Sequence, residues 1–223
     1  MNKRRWIFGT AASAALVASS LFALTSTSLS ATPARGAETT RPVIVVLGDS
    51  ISAEYGLPRD TGWVALLRKR LAQERIDYSV ANASISGDTT SGGRARMPEL
   101  MERLKPSIVI VELGANDALR GVPLATSEDN LRTIVEQAQQ GHAKVVLVGM
   151  YVPSNYGPAY TQRFHAMYAS VAHEMNVRLV PFLLAGIENR PEMFQSDQMH
   201  PAQQAQPALL ENVWPVLAPL LRK

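Results

Sequence analysis

Val43-Ile44-Val45-Val46-Leu47-Gly48-Asp49-Ser50 is the stretch on which the reading of the fold depends. A short apolar, mostly β-branched run bounded by a turn signal is the pattern of a strand buried on both faces. A serine just past such a strand sits at its carboxyl end, the edge where open α/β sheets bind ligands. Ser50 is therefore a candidate nucleophile. Taken alone, Gly48-Asp49-Ser50 reads more simply as a turn, with Gly for backbone freedom and Asp and Ser for local hydrogen bonds.

The pattern repeats downstream. Strands are expected at Tyr78–Ala81, Ile108–Val111, Val145–Val148 and Arg178–Phe182. Between them fall helical periodicities. Trp63, Leu66, Leu67 and Leu71 share one face, as do Met97, Leu100, Met101 and Leu104, with Pro106 marking the end. Ser127 can cap a third helix whose inner face is Leu131, Ile134, Val135 and Ala138, and Gly141 suits its left-handed C′ position. Tyr160, Phe164, Met167, Tyr168, Val171 and Met175 mark a fourth. The last apolar segment contains Pro207, Pro215 and Pro219 and is expected to be a kinked or broken helix. Five β-α repeats predict an α/β fold: a three-layer α/β/α sandwich on a five-stranded parallel sheet.

Residues 1–37 stand apart. Lys3-Arg4-Arg5 precede an apolar, small-residue segment and then Ser/Thr/Ala/Pro-rich sequence, the plan of a secretory signal peptide. Exit is possible after Ala31, Ala34, Gly36 or Ala37. An uncleaved anchor is the alternative, since the segment is near spanning length. The small residues favour cleavage, which leaves residues 38–223 as one periplasmic or secreted domain with no stable membrane anchor. The charge divides with it. The chain is +3, with 22 Lys+Arg against 19 Asp+Glu, but four of the basic residues and none of the acids lie in the leader, leaving 18 against 19. Net charge thus gives no support to a nucleic-acid partner. There is no cysteine, which excludes disulfides, zinc–thiolate sites and a lipidated cysteine. No metal and no cofactor are expected.

In the common doubly wound order 2-1-3-4-5, strand 1 lies between strands 2 and 3. That order, taken from the fold class, makes Ser50, Gly87 and Asn116 neighbours at one edge. A hydroxyl nucleophile also needs a base, which neutral imidazole suits, and an oriented carboxylate behind it. His142 follows a turn glycine, and His165 and His173 lie off the apolar face of their helix; all three read as surface residues. His200 lies past strand 5 with Asp197 three residues before it. The pair also reads as a loop histidine beside a capping aspartate.

Four segments carry a resemblance. Gly48-Asp49-Ser50-Ile51-Ser52, Ser86-Gly87-Asp88-Thr89, Gly114-Ala115-Asn116-Asp117 and Asp197-Gln198-Met199-His200-Pro201 resemble, in order, the four signature blocks of the SGNH (GDSL) hydrolases. The likeness is closer to a bacterial periplasmic branch of esterases and thioesterases, and it runs from about Val43 to Leu217. It implies a flavodoxin-like sheet, with Ser50 as nucleophile, His200 as base and Asp197 as its orienter. It implies an oxyanion hole from Ser50 and Gly87 N–H and the Asn116 amide. The implied substrate is a small-molecule acyl ester, thioester or lysophospholipid, acted on by a monomer. The loop Ala118–Pro123 corresponds to a segment that moves on substrate binding in that branch. Ser50 is not in a Gly-x-Ser-x-Gly elbow, which disfavours an ordinary α/β-hydrolase. Glu54 departs from the branch, where some members have glycine. It reads as a carboxylate near the pocket mouth or as an exposed helix residue. A carbohydrate O-acetylesterase is the nearest rival, and a non-catalytic binding module the rival from another class.

Overall fold

A computed structural model describes residues 41–221. The expected leader lies outside the described residues. Strand β1 (Val43–Gly48) pairs with β2 (Ser79–Asn82) on one side and β3 (Ile108–Glu112) on the other; β4 (Lys144–Val148) and β5 (Arg178–Val180) follow, all parallel, in the order β2-β1-β3-β4-β5. The three central strands are continuous runs of Val, Ile and Leu because both faces of a parallel sheet are covered. Ile44 to Leu47 and Ile108 to Val111 are buried throughout, whereas the edge strands β2 and β5 are only partly so.

Helix α1 (Trp63–Gln73) packs on α6 (Gln206–Leu217). Helix α2 (Thr90–Leu104) packs on α4 (Leu124–Gln140), and α4 on α5 (Pro158–Glu174). Trp63, Phe164 and Tyr168 are the largest side chains buried in the core. The chain steps from β1 outward to β2, then returns past β1 to β3 and continues the other way. This reversal at β1 is the topological switch point, where carboxyl ends diverge and leave a crevice. Among the described residues no helix is long and apolar enough to cross a membrane.

Several local expectations are corrected. Ser127 does not cap α4, which starts one turn earlier behind Pro123. Ser127 is buried inside the helix, where its hydroxyl donates to Asp117 Oδ1 at 3.2 Å. Gly141 keeps a negative φ of −83°, and His142 takes the left-handed conformation at +62°. The stretch after β3 is not all loop: Ala115–Leu119 forms a short helix, α3. Strand β5 stops at Val180, short of Phe182. Pro207 opens α6 instead of interrupting it, because a first-turn N–H has no intrahelical partner to lose.

Candidate active site

Gly48 ends β1 opposite Glu112 of β3. The approach is close: a Cβ on Gly48 would lie 2.8 Å from Glu112 Oε2 and from Ser52 Cβ. Past it the chain turns back at once, with Ala53 N–H bonded to Asp49 O and Tyr55 N–H to Ser50 O. Ser50 is thereby presented at the sheet edge, half-buried.

His200 reaches it from 150 residues away. The 195–200 segment is pinched into a tight loop by the Phe194–Pro201 bridge and by Gln195 N–H donating to His200 O at 2.8 Å. Asp197 organises the loop from within. Its Oδ1 accepts the N–H groups of Met199 and His200, at 2.9 and 3.0 Å, and its Oδ2 lies 2.7 Å from His200 Nδ1. These donors, the two backbone N–H groups first, hold the Asp197 carboxyl down at about 2, so it is charged at neutral pH. A carboxylate facing Nδ1 assigns the proton of the neutral imidazole to that nitrogen. Nε2 is then free to accept from Ser50 Oγ, 2.9 Å away. The Tyr55 ring packs against the imidazole at 4.6 Å between centroids and limits its rotation.

Asn116 arrives from β3. Gly114, at φ +122°, makes the sharp exit possible; a Cβ there would lie 2.5 Å from Tyr168 Oη, which itself donates to Leu113 O. Asn116 Nδ2 donates to Asp49 Oδ2 at 3.0 Å, leaving the second hydrogen of the amide for another acceptor. Next to it, buried Asp117 accepts from Thr90 N–H, the Thr90 hydroxyl and Ser127, which ties α3 to the start of α2.

Gly87 lies on the β2 exit, which is held beside β1 by Ile85 N–H donating to Gly48 O at 3.0 Å. Its φ is +78° and its carbonyl accepts from Arg120 Nη2 at 2.7 Å. Gly87 is not part of the cavity wall that Ser50, Asn116 and His200 share. Among the described residues, neither the Ser50 nor the Gly87 N–H has an acceptor within the protein.

Beside Ser50 opens a cavity of about 360 Å³, walled largely by Ile51, Leu119, Met150, Val152, Phe182, Leu184 and Phe194. Tyr151 and Met199 line it and are exposed at its rim. His165 is not the free surface residue expected: its ring stacks on Tyr151 at 3.8 Å and Nδ1 lies 3.3 Å from Met150 O. His142 and His173 are exposed. Glu54 fits neither reading proposed for it. It sits in a turn at φ +61°, away from the cavity wall, and accepts the N–H groups of Asp60 and Gly62 at 3.0 and 2.8 Å. It staples the 55–61 loop.

Sequence reasoning gave Asp49 only a local turn bond, which Ile51 N–H makes to its Oδ1, and gave Glu112 and Arg120 no role. Asp49 is buried, and burial lifts its carboxyl to about 6 against the lowering effect of Ile51 N–H, His200 and Asn116. Glu112 is buried completely, which raises it well above the usual range, with Asp49 adding to the rise. Arg120 tethers Gly87. A carboxylate closing a run of four β-branched residues is the one signal that could have singled out Glu112.

Residues 46–206 match the family model described as the GDSL-like Lipase/Acylhydrolase family. The chain is 52% identical over 178 residues to the esterase TesA of Pseudomonas aeruginosa, covering 80% of this chain and 89% of that one. It is 38% identical to the thioesterase 1/protease 1/lysophospholipase L1 of Escherichia coli K12, covering 80% and 84%. A crystal structure of TesA superposes with a TM-score of 0.79 at 52% identity, over 80% of this chain and 99% of that chain. A buried parallel sheet in this strand order, a serine and a histidine in contact at its carboxyl edge, and relatives of this closeness lead to one assignment: the chain belongs to the GDSL-like lipase/acylhydrolase family and is an ester hydrolase.

Proposed function

We propose that the protein is an exported serine esterase. In this reading it hydrolyses carboxylic esters, acyl thioesters or lysophospholipids through an acyl-enzyme on Ser50. The observation that carries the reading is the unbroken line from Asp197 Oδ2 to His200 Nδ1 and from His200 Nε2 to Ser50 Oγ, at 2.7 and 2.9 Å.

The chemistry follows from that line. His200 takes the Ser50 proton as Oγ bonds to the acyl carbon, and the carbonyl π electrons move to oxygen. The charge of Asp197 stabilises the imidazolium so formed. The oxyanion is met by the Ser50 and Gly87 N–H groups and by the second hydrogen of the Asn116 amide. Donors fixed in advance act most strongly where charge develops, and one is typically worth about 10²–10³ in rate. Collapse breaks the bond to the alcohol or thiol, which leaves with the proton from His200. Water then repeats the sequence and releases the acid. The apolar cavity beside Ser50 takes the acyl chain, and its rim is open to a leaving group of varied size. Residues 1–37 serve as the export leader.

The test is a substrate panel on purified protein: p-nitrophenyl esters of several lengths, acyl-CoA, lysophospholipid and acetylated sugar. Ser50→Ala is the blank. Turnover of the esters by the wild type and none by the folded variant is the expected result, and wild-type turnover by Ser50→Ala refutes the assignment. N-terminal sequencing of protein taken from the periplasm, medium and membrane fractions tests the leader; an intact Met1 on protein held in the membrane fraction argues for an anchor.

A further inference from the structure

Glu112 has no place in the mechanism above, yet it is the residue that β3 delivers directly beside the nucleophile turn. Its side chain is fully buried. Oε2 accepts from Ser52 Oγ at 2.7 Å and from Asp49 N–H at 3.3 Å, while Oε1 is buried with no partner among the described residues. Trp63 Nε1, which can only donate, points at Ser52 Oγ from 3.2 Å. Ser52 Oγ accepts from the indole and donates its own proton to Glu112 Oε2. An oxygen that accepts two donors is the carbonyl oxygen of the group.

An ionised Glu112 would leave charge on Oε1 in a fully buried site, with no donor from the described residues. It would also place a second negative charge beside buried Asp49. No lysine or arginine bonds to either carboxyl among the described residues; the titratable groups facing the pair are Tyr168 from α5 and, on the Asp49 side, His200 and Asp88, whose charge adds to the repulsion. Unpaired buried charge of this kind is relieved by taking up a proton.

We propose that Glu112 is a positioning residue that works as a neutral carboxylic acid, protonated on Oε1. Its carbonyl oxygen pins the Asp49–Ser52 turn that presents Ser50, and its neutrality leaves the negative charge on Asp49, which holds Asn116. The proposal rests on the assignment of Ser50 and Asn116 made above. It also accounts for Gly48, since any side chain there would collide with Glu112 Oε2.

Glu112→Gln is the discriminating variant. An amide reproduces the neutral acid, with its oxygen on Ser52 and its NH₂ in place of the Oε1 hydroxyl. Glu112→Gln should keep kcat within about threefold of wild type at unchanged KM. Glu112→Ala, where it folds, should lose about tenfold or more in kcat, the equivalent of one buried hydrogen bond, again with KM unchanged. The infrared difference spectrum of wild type minus Glu112→Gln at neutral pH should contain the carbonyl stretch of a protonated carboxyl. A folded Glu112→Gln with kcat down tenfold overturns the proposal. So does a difference spectrum with carboxylate bands alone, or a folded Glu112→Ala that loses thermal stability but no kcat. The spectrum reports the proton on Glu112 whether or not Ser50 is the nucleophile, so failure of that assignment, read from Ser50→Ala, is separable.

Discussion

Replacing Asp49 with Asn should separate stability from activity. Asp49 accepts from Asn116 Nδ2 and from Ile51 N–H, both at 3.0 Å. Asparagine has one acceptor oxygen and one NH₂, so one of the two donors will face another donor. If it is Asn116, the amide is pushed from its position beside Ser50, and kcat falls toward the roughly 10²–10³ expected for losing an oxyanion donor. If it is Ile51, the backbone next to Ser50 N–H is displaced instead. Either way kcat drops by at least about tenfold. Stability moves in the other direction at neutral pH. Burial raises the Asp49 carboxyl from 3.8 to about 6. That rise means the folded state holds a proton the unfolded chain has released, at a cost on the order of 3 kcal/mol above pH 6. Below about pH 4 both states are protonated and the cost is absent. Asparagine removes the charge at every pH, so its benefit is missing near pH 4, grows between 4 and 6, and is complete above 6. The lost hydrogen bond, about 1–3 kcal/mol, is independent of pH and cancels in the comparison. The difference in Tm between variant and wild type should therefore be more positive at pH 7 than at pH 4, by about 6–12 °C for a domain of this size. Thermal unfolding at the two pH values and p-nitrophenyl ester kinetics at pH 7 provide the readings. A variant with wild-type kcat, or with a Tm difference that does not change with pH, would show that Asp49 is not the buried charge holding Asn116.

Asn116→Ala should lower kcat by about 10²–10³ with little change in KM; a change in KM alone would make Asn116 a ground-state binding residue. Gly48→Ala forces a Cβ to within 2.8 Å of Glu112 Oε2 and Ser52 Cβ, and should destabilise by about 1–3 kcal/mol in chemical denaturation. An unchanged midpoint would mean that the turn yields freely. Asp197→Ala should collapse kcat and lose stability. The wild-type carboxyl is held at about 2, so that stability is present above about pH 4 and fades as pH falls toward 2. A deficit equally large at pH 2.5 and pH 5 would contradict the loop-organising role of its charge. Chelator should leave ester turnover unchanged, since every step drawn above uses only side chains and backbone N–H groups; loss restored by added zinc would refute this.

Much of the architecture was legible in the chain. Runs such as Val43–Leu47 and Ile108–Val111 can only be satisfied by burial on both faces, and helical periodicities separate them, so a covered parallel sheet follows from local pattern. The same logic sets Ser50, Gly87 and Asn116 on strand exits and lets Asp197 reach His200, because three residues is a distance one turn can span, but local pattern left that pair equally readable as a loop histidine beside a capping aspartate, and the family resemblance gave it a role. Local pattern failed where a residue's partner was tertiary. Ser127 looks like a cap because its hydroxyl can bond locally, but Asp117 claims it. Glu54 looks like a surface or mouth residue, but the folding of its own loop brings the Asp60 and Gly62 N–H groups onto its carboxylate.

What the sequence by itself determined is thus the set of elements and the side chains standing at their carboxyl ends. Periodicity reports how one element meets solvent, and that is a property of neighbours along the chain. Only the tertiary structure decided which exits meet. The register that sets Gly48 opposite Glu112 puts two acids under one serine, and the loop closed by Phe194 and Pro201 swings His200 onto Ser50. A carboxyl group reads as an exposed charge until packing removes its water, so the buried pair of Asp49 and Glu112 came into view only with the fold.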